Sequence, residues 1–225
     1  MIIVVWILAF AVAITIHEAA HAWMADRLGD PTARLMGRLS LNPLKHYDPI
    51  GTTLLLVLVI LRSLSSIPGF EAFRYIVPFG WAKPVVFDPY NLKNPRRDSA
   101  LISLAGPLAN LSLAIFVSLL LRLSLAPFSP FFYFSNLAYP FIILNVALAI
   151  FNLIPIHPLD GGKILVGLLP RKEAQEAELF LNRYGLILLF FLIFPTFGGV
   201  SIFSLIVTPA INIILKLLIP GSPII

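Results

Sequence analysis

No Asp, Glu, Lys, Arg or His occurs in residues 1–16, 99–121, 123–156 or 184–215. A helix of about 20 apolar residues crosses the hydrocarbon core of a bilayer. Inside lipid every backbone N–H and C=O must be satisfied within the protein, so uncharged runs of this length fold as helices. The runs 123–156 and 184–215 are too long for single crossings, so each must hold more than one segment. The remaining composition agrees. The chain is 59% hydrophobic and 12% charged, about half the charge of an ordinary soluble domain, and its mean hydropathy is +0.93. The opening run reads as a membrane helix rather than a signal peptide. It has no basic leader and passes straight into HEAAH (17–21) without a cleavage-like site.

The net charge of +5 matters less than where the cations fall. Arg27, Arg34, Arg38 and Lys45 lie in one polar connector. Lys83, Lys93, Arg96 and Arg97 lie in a second, and Arg171, Lys172 and Arg183 in a third. By the positive-inside rule all three belong on the cytoplasmic side. They read as topology signals, not as a nucleic-acid surface. There is no cysteine, so any metal must be held by His and carboxylate.

The first membrane helix is expected over residues 2–25, followed by a connector at 26–49 broken by Gly29, Asp30-Pro31, Gly37 and Asn42-Pro43. A second apolar segment covers about 50–66. Residues 67–82 carry Glu71 and Arg74 and either re-enter the membrane or pack inside the protein. Residues 83–98 hold three prolines and a VVF run that predicts a short strand or extended edge at Val85, Val86 and Phe87. A spanning helix covers 99–122, APFSP (126–130) turns the chain, and 131–154 returns to a proline-broken segment. Residues 171–183 predict a short charged helix, and 184–219 a hairpin split by Pro195 and Gly198-Gly199. The expected fold is an all-α integral membrane bundle of about six membrane helices. It has a broken helix at the active site and a short extended or β element in the connectors. It forms a single domain, with a core at about 1–170.

Ionisable side chains are costly inside an apolar helix and mark function by default. On a helix, i and i+4 lie on one face, roughly 5–6 Å apart at Cβ, so His17 and His21 can reach one ion. Glu18 stands beside them, able to take a proton from water activated there. This is the H-E-x-x-H zinc pattern with its general base. A catalytic zinc needs a third protein ligand and an open position. Of the other histidines, His46 reads as structural. Among the carboxylates Asp160 stands apart, because it follows the apolar run within PLDGG (158–162). Pro155 and Pro158 break the helix there, and irregular backbone at membrane depth occurs only where it is buried in protein or lines a cavity.

HEAAH together with NLIPIHPLDGG (152–162) resembles the site-2 protease family of intramembrane zinc metalloproteases. GRLSLNPLKHYDPIG (37–51), FGWAKPV (79–85), NPRR (94–97) and AGPLAN (105–110) are similar to its compact branch, which lacks PDZ and CBS modules. The resemblance covers roughly residues 1–170. It implies one zinc held by His17, His21 and Asp160, with Glu18 as general base and Asn152 positioning substrate or stabilising an oxyanion. Asn110 is a further candidate for positioning substrate in the same neighbourhood, and Gly106 permits close helix packing. His157 departs from the branch pattern; it is a candidate for an outer hydrogen bond to the site or an alternate ligand, or reads as a neighbour with no metal contact.

The implied reaction is peptide-bond hydrolysis in or near a transmembrane helix of another membrane protein. That helix must unwind before attack and could add as a strand to Val85–Phe87. The implied setting is a prokaryotic cell membrane with the site toward the cytoplasm. Three other readings stay open on sequence alone. A different membrane zincin would take its third ligand from Glu71, Glu173, Glu176 or Glu178, none of which lies in a long apolar helix. A transporter or channel with an intramembrane metal site would be expected to show paired halves, and none are seen. An inactive scaffold of the same fold would have no need of Glu18.

Overall fold

Every fourth residue along the first helix is buried: Ala9, Ala13, His17, His21 and Ala25. That row is what a 3.6-residue turn gives when one face of a helix packs inward. The alanines leave room for a neighbouring backbone to come close, so the two histidines are carried into the interior. The structure is a computed structural model that describes residues 2–64, 68–70, 83–125, 135–194 and 201–220. Its helices are α1 (Ile2–Leu28), α2 (Thr32–Leu35), α3 (Gly51–Ser63), α4 (Pro95–Ser124), α5 (Ser135–Asn152), α6 (Asp160–Leu168), α7 (Arg171–Ile193) and α8 (Thr208–Leu218).

Helix α4 is the centre of the bundle and packs against α1, α5 and α6. Ile102, Gly106, Asn110 and Ala114 form its own buried row at the same four-residue spacing, so two i±4 ridges face one another. A second apolar core joins α4, α5 and α8 through Leu121, Ile142, Val146, Ile211 and Leu215. Outward-facing residues are apolar as well. On α4, Leu108, Ile115, Phe116, Leu119 and Leu123 are exposed, and α7 exposes Leu186, Ile187, Phe190 and Phe191. Patches of that extent fit contact with lipid. Val4–Leu28 and Pro95–Ser124 are each long and apolar enough to cross a membrane.

The helix starts follow local chemistry. The Asp48 carboxylate accepts from the N–H groups of Ile50 and Gly51, and the Thr52 hydroxyl accepts from Asp48 N–H in return. This is the reciprocal logic of a capping box at the start of α3. Pro95 opens α4, where a missing N–H costs nothing. Asp98 reaches back to the N–H of Asn94 at 2.8 Å.

Three expectations change. No strand forms among the described residues. A strand needs a partner ladder, and the N–H groups of Lys83, Val85 and Asp88 go instead to His46 C=O, the Glu18 carboxylate and the Asp30 carboxylate. The charged helix expected at 171–183 continues unbroken to Ile193, because no proline interrupts it and Gly185 packs against the His157 backbone. The first helix likewise runs three residues past its expected end. Glu71, APFSP and the Pro195–Gly199 break lie outside the described residues, as does nearly all of 67–82.

Candidate metal centre

His17 and His21 come from α1, and Asp160 is the first residue of α6. Residues 153–159 turn between the end of α5 and that helix start. Gly161 is packed so tightly on the carbonyls of Leu153 and Ile154 that a Cβ there would collide with them. The Asp160 Oδ2 atom lies 3.1 Å from His17 Nε2 and 3.2 Å from His21 Nε2. Both histidines are buried.

The opposite ring nitrogens fix the tautomers. His17 Nδ1 is 2.6 Å from Asn110 Oδ1, and His21 Nδ1 is 2.7 Å from the Ile102 carbonyl oxygen. Both partners are acceptors, so both Nδ1 atoms carry the proton and both Nε2 atoms present lone pairs. With neutral rings, both Nε2 lone pairs converge on the Asp160 carboxylate oxygen, an arrangement that a bound cation would satisfy. Tetrahedral zinc with bonds of about 2.0–2.1 Å would set its ligand atoms about 3.3 Å apart. The three ligand atoms lie within 4.8 Å of one another. The donor set and its spacing therefore fit a zinc-type ion. Oriented outer partners on each histidine are a regular feature of such sites.

Asn110 corrects the sequence reading. It is fully buried, and its side chain is fully spent. Its amide nitrogen donates to Ala13 C=O and to Asn145 Oδ1 at 2.9 and 2.7 Å, while its oxygen serves His17. Its Oδ1 faces the His17 ring, and at full burial it offers no surface to a substrate. Asn145, itself fully buried and donating to Phe141 C=O, completes this chain. Sequence reading missed Asn145, while Gly106 permits the close helix packing expected of it. A Cβ at Gly106 would stand 2.5 Å from His21 Nε2 and 2.7 Å from His17 Cε1. The only sequence signal for Asn145 is an amide in an uncharged run that also holds Asn136 and Asn152, which by itself reads as helix packing.

Glu18 is half-buried beside the pair, and its Oε2 accepts the N–H of Val85 at 3.0 Å. Among the described residues Oε1 has no partner. The 83–91 segment is thus tied to α1 at the base itself. Further along, Asp30 holds it through Asp88 N–H and the Asn91 amide. Burial would raise the Asp30 carboxyl, but hydrogen bonds from Thr32, Asn91 and Asp88 outweigh this and hold it below the usual carboxylate range. Asn152 ends α5 with its amide donating to Leu148 C=O at 3.0 Å, and it makes no hydrogen bond to the ligand cluster. The ring of His157 lies against Gly162 and its Nδ1 pairs with Asn182 Oδ1, 2.8 Å away. It makes no hydrogen bond to any of the three ligands.

Two histidines one turn apart, an aspartate from a distant helix and a glutamate beside them define a metallopeptidase-type centre in a membrane-type helical bundle. The family model of Peptidase family M50 matches residues 5–131 and 128–192. The chain belongs to this family, the site-2 protease family. It is 37% identical over 218 residues to a Bacillus subtilis (strain 168) protein named "Putative zinc metalloprotease YwhC", covering 92% of this chain and 85% of that one. It is 31% identical over 215 residues to "Putative zinc metalloprotease Rip2" of Mycolicibacterium smegmatis, covering 94% and 68%. A Rip2 of Mycobacterium tuberculosis (strain H37Rv) is 29% identical over 200 residues, covering 88% and 69%. No solved structure matched the chain.

Proposed function

We propose that this protein is an intramembrane zinc metalloprotease that hydrolyses peptide bonds in or beside transmembrane segments of other membrane proteins. The observation that carries the reading is the meeting of His17 Nε2, His21 Nε2 and Asp160 Oδ2 next to Glu18, on helices built for lipid. His17, His21 and Asp160 would hold the zinc, which when bound supplies Lewis acidity toward a carbonyl and makes water more acidic.

The chain's own groups do the rest. Glu18 takes the proton of the attacking water on Oε1, the oxygen that Val85 leaves free, and returns it to the leaving nitrogen. Val85 N–H fixes the other carboxylate oxygen, so the base keeps its aim. With the N–H groups of residues 83, 85 and 88 turned to the scaffold, Val86 is exposed between the half-buried Val85 and Phe87. Its N–H has no partner among the described residues. A locally unwound substrate would pair along that edge, between Val85 and Phe87. Asn152 would lie near the reacting carbonyl once substrate is bound. The fold reading is a single domain with a catalytic core at about 1–170 and about six membrane helices. The active site faces the cytoplasmic side of a prokaryotic cell membrane, and the turn at 153–159 interrupts a membrane helix.

The test is zinc content and cleavage of reconstituted protein. Wild type should hold about one zinc per chain. Asp160→Ala should lose it. Glu18→Gln should keep it and cut at least about 100-fold more slowly. Cleavage by Glu18→Gln at the wild-type rate, or a wild type that takes up no zinc, would defeat the reading.

A further inference from the structure

A groove of about 1310 Å³ runs from the Val85–Phe87 segment across the starts of α4 and α6 to α7. Four cations line it, Arg96, Arg97, Lys163 and Arg171, against a single carboxylate, Glu178. None of the four forms an ion pair among the described residues. The positive-inside rule asks only that cations lie near the cytoplasmic surface, and scattered positions would satisfy it. Here three separate helices bring their cations to one cleft. Each of these cations sits in a first turn, where the helix dipole disfavours positive charge. That placement costs stability and concentrates positive potential in a low-dielectric cleft. Lys163 also stands 4.9 Å above the Phe87 ring, which joins the basic groove directly to the edge next to Glu18.

We propose that this groove receives an acidic juxtamembrane segment of the substrate, on the cytoplasmic side of the cleaved bond, and that Arg96, Arg97, Lys163 and Arg171 select for it. The proposal rests on the protease reading for the word substrate. A peptide entering along Val85–Phe87 continues into the groove without a turn, because the same residues line both. Its carboxylates meet the guanidinium and ammonium groups there, and Glu178 repels a segment that carries many acids at that end.

The test measures binding as well as cleavage, so it stands if no peptide bond is cut. Full-length Glu18→Gln protein in neutral detergent is titrated with labelled single-pass peptides. These differ only in a cytoplasmic tail of four Glu, four Gln or four Lys. The Glu tail should bind about tenfold more tightly than the Gln tail, the gain expected of a few exposed ion pairs. The gain should shrink as salt rises from about 0.1 to 1 M and the screening length falls from about 10 to 3 Å. Converting the four cations to Glu in the same background should invert the order, with the Lys tail now preferred. An inverted order cannot come from misfolding. Equal binding of the three tails overturns the proposal, and so does a preference that survives the charge reversal. If the cleft instead holds lipid headgroups, the tails bind alike while phosphatidylglycerol is retained by the wild type and lost from the reversed variant. That outcome also overturns it. Absence of cleavage by Glu18-intact protein, with tail-dependent binding retained, would count against the protease reading and leave the acidic-segment site standing.

Discussion

Gly106→Ala should weaken the metal centre without replacing a ligand. The new Cβ would lie 2.5 Å from His21 Nε2, where ordinary contact begins at 3.4 Å. Relief needs a movement of about 0.9 Å, from the difference of those two distances. If the His21 ring moves by that much, its Nδ1–H···O=C bond to Ile102 stretches from 2.7 Å to beyond hydrogen-bond length. If α4 moves instead, Asn110 leaves His17 Nδ1. Either way an outer partner of one histidine is lost, which typically weakens metal affinity about 10–100-fold. The overpacking costs a further ~1–3 kcal/mol of stability. Competition against a chelator at neutral pH would read the first effect, and thermal unfolding in detergent the second. A Val at the same position should be worse on both. If the Ala variant keeps zinc affinity within about twofold of wild type, Gly106 is not the cradle of the two rings and the packing argument fails.

Asn145→Ala leaves one Asn110 N–H buried without an acceptor, so it should cost ~1–3 kcal/mol in thermal unfolding. By loosening His17 it should also lower zinc affinity about tenfold. Val86→Pro removes an N–H that has no partner among the described residues and should cut cleavage about tenfold through lost substrate pairing, with zinc content unchanged; normal turnover by this variant would rule out strand addition. Asp30→Asn tests the tie between α1 and the 83–91 segment. Because the folded Asp30 pKa is lowered, its stabilisation is complete above the unfolded carboxyl value of about 3.9 and fades as pH falls below it. Wild type should therefore outlast Asp30→Asn at pH 7, and the gap in melting temperature should narrow in more acid solution. A gap independent of pH would show that the carboxylate charge plays no part.

The two histidines and Glu18 were legible because their relation is local. Helical spacing alone puts i and i+4 on one face, whatever the rest of the chain does. Asp160 was legible through its departure from an apolar run. The partners that tune the site were not. Asn145, the Ile102 carbonyl and the Val85 N–H reach it through the packing of α4 and α5 on α1 and the path of a connector, and no periodicity encodes these. Asn110 was read as meeting substrate because an amide carries the same donor and acceptor whether it faces a ring or a ligand. The unbroken α7 was missed because a change from charged to apolar residues near Arg183 looks like a boundary. A helix backbone, however, does not respond to such a change.

Of the three candidate ligands only Asp160 comes from outside α1, and it stands 143 residues from His17. A metal shared by His17 and Asp160 therefore closes a very large loop of chain. For a covalent tie of that span, loop-closure entropy sets a ceiling of about 5 kcal/mol. The true figure is smaller here, because helices anchored in lipid have already lost much of their freedom. An ion held by these residues would thus also act as a removable rivet between the two ends of the core. Chelation should free α6 from α1 and make the turn at 153–159 easier to nick with an added protease, even in a Glu18→Gln protein that cuts nothing itself.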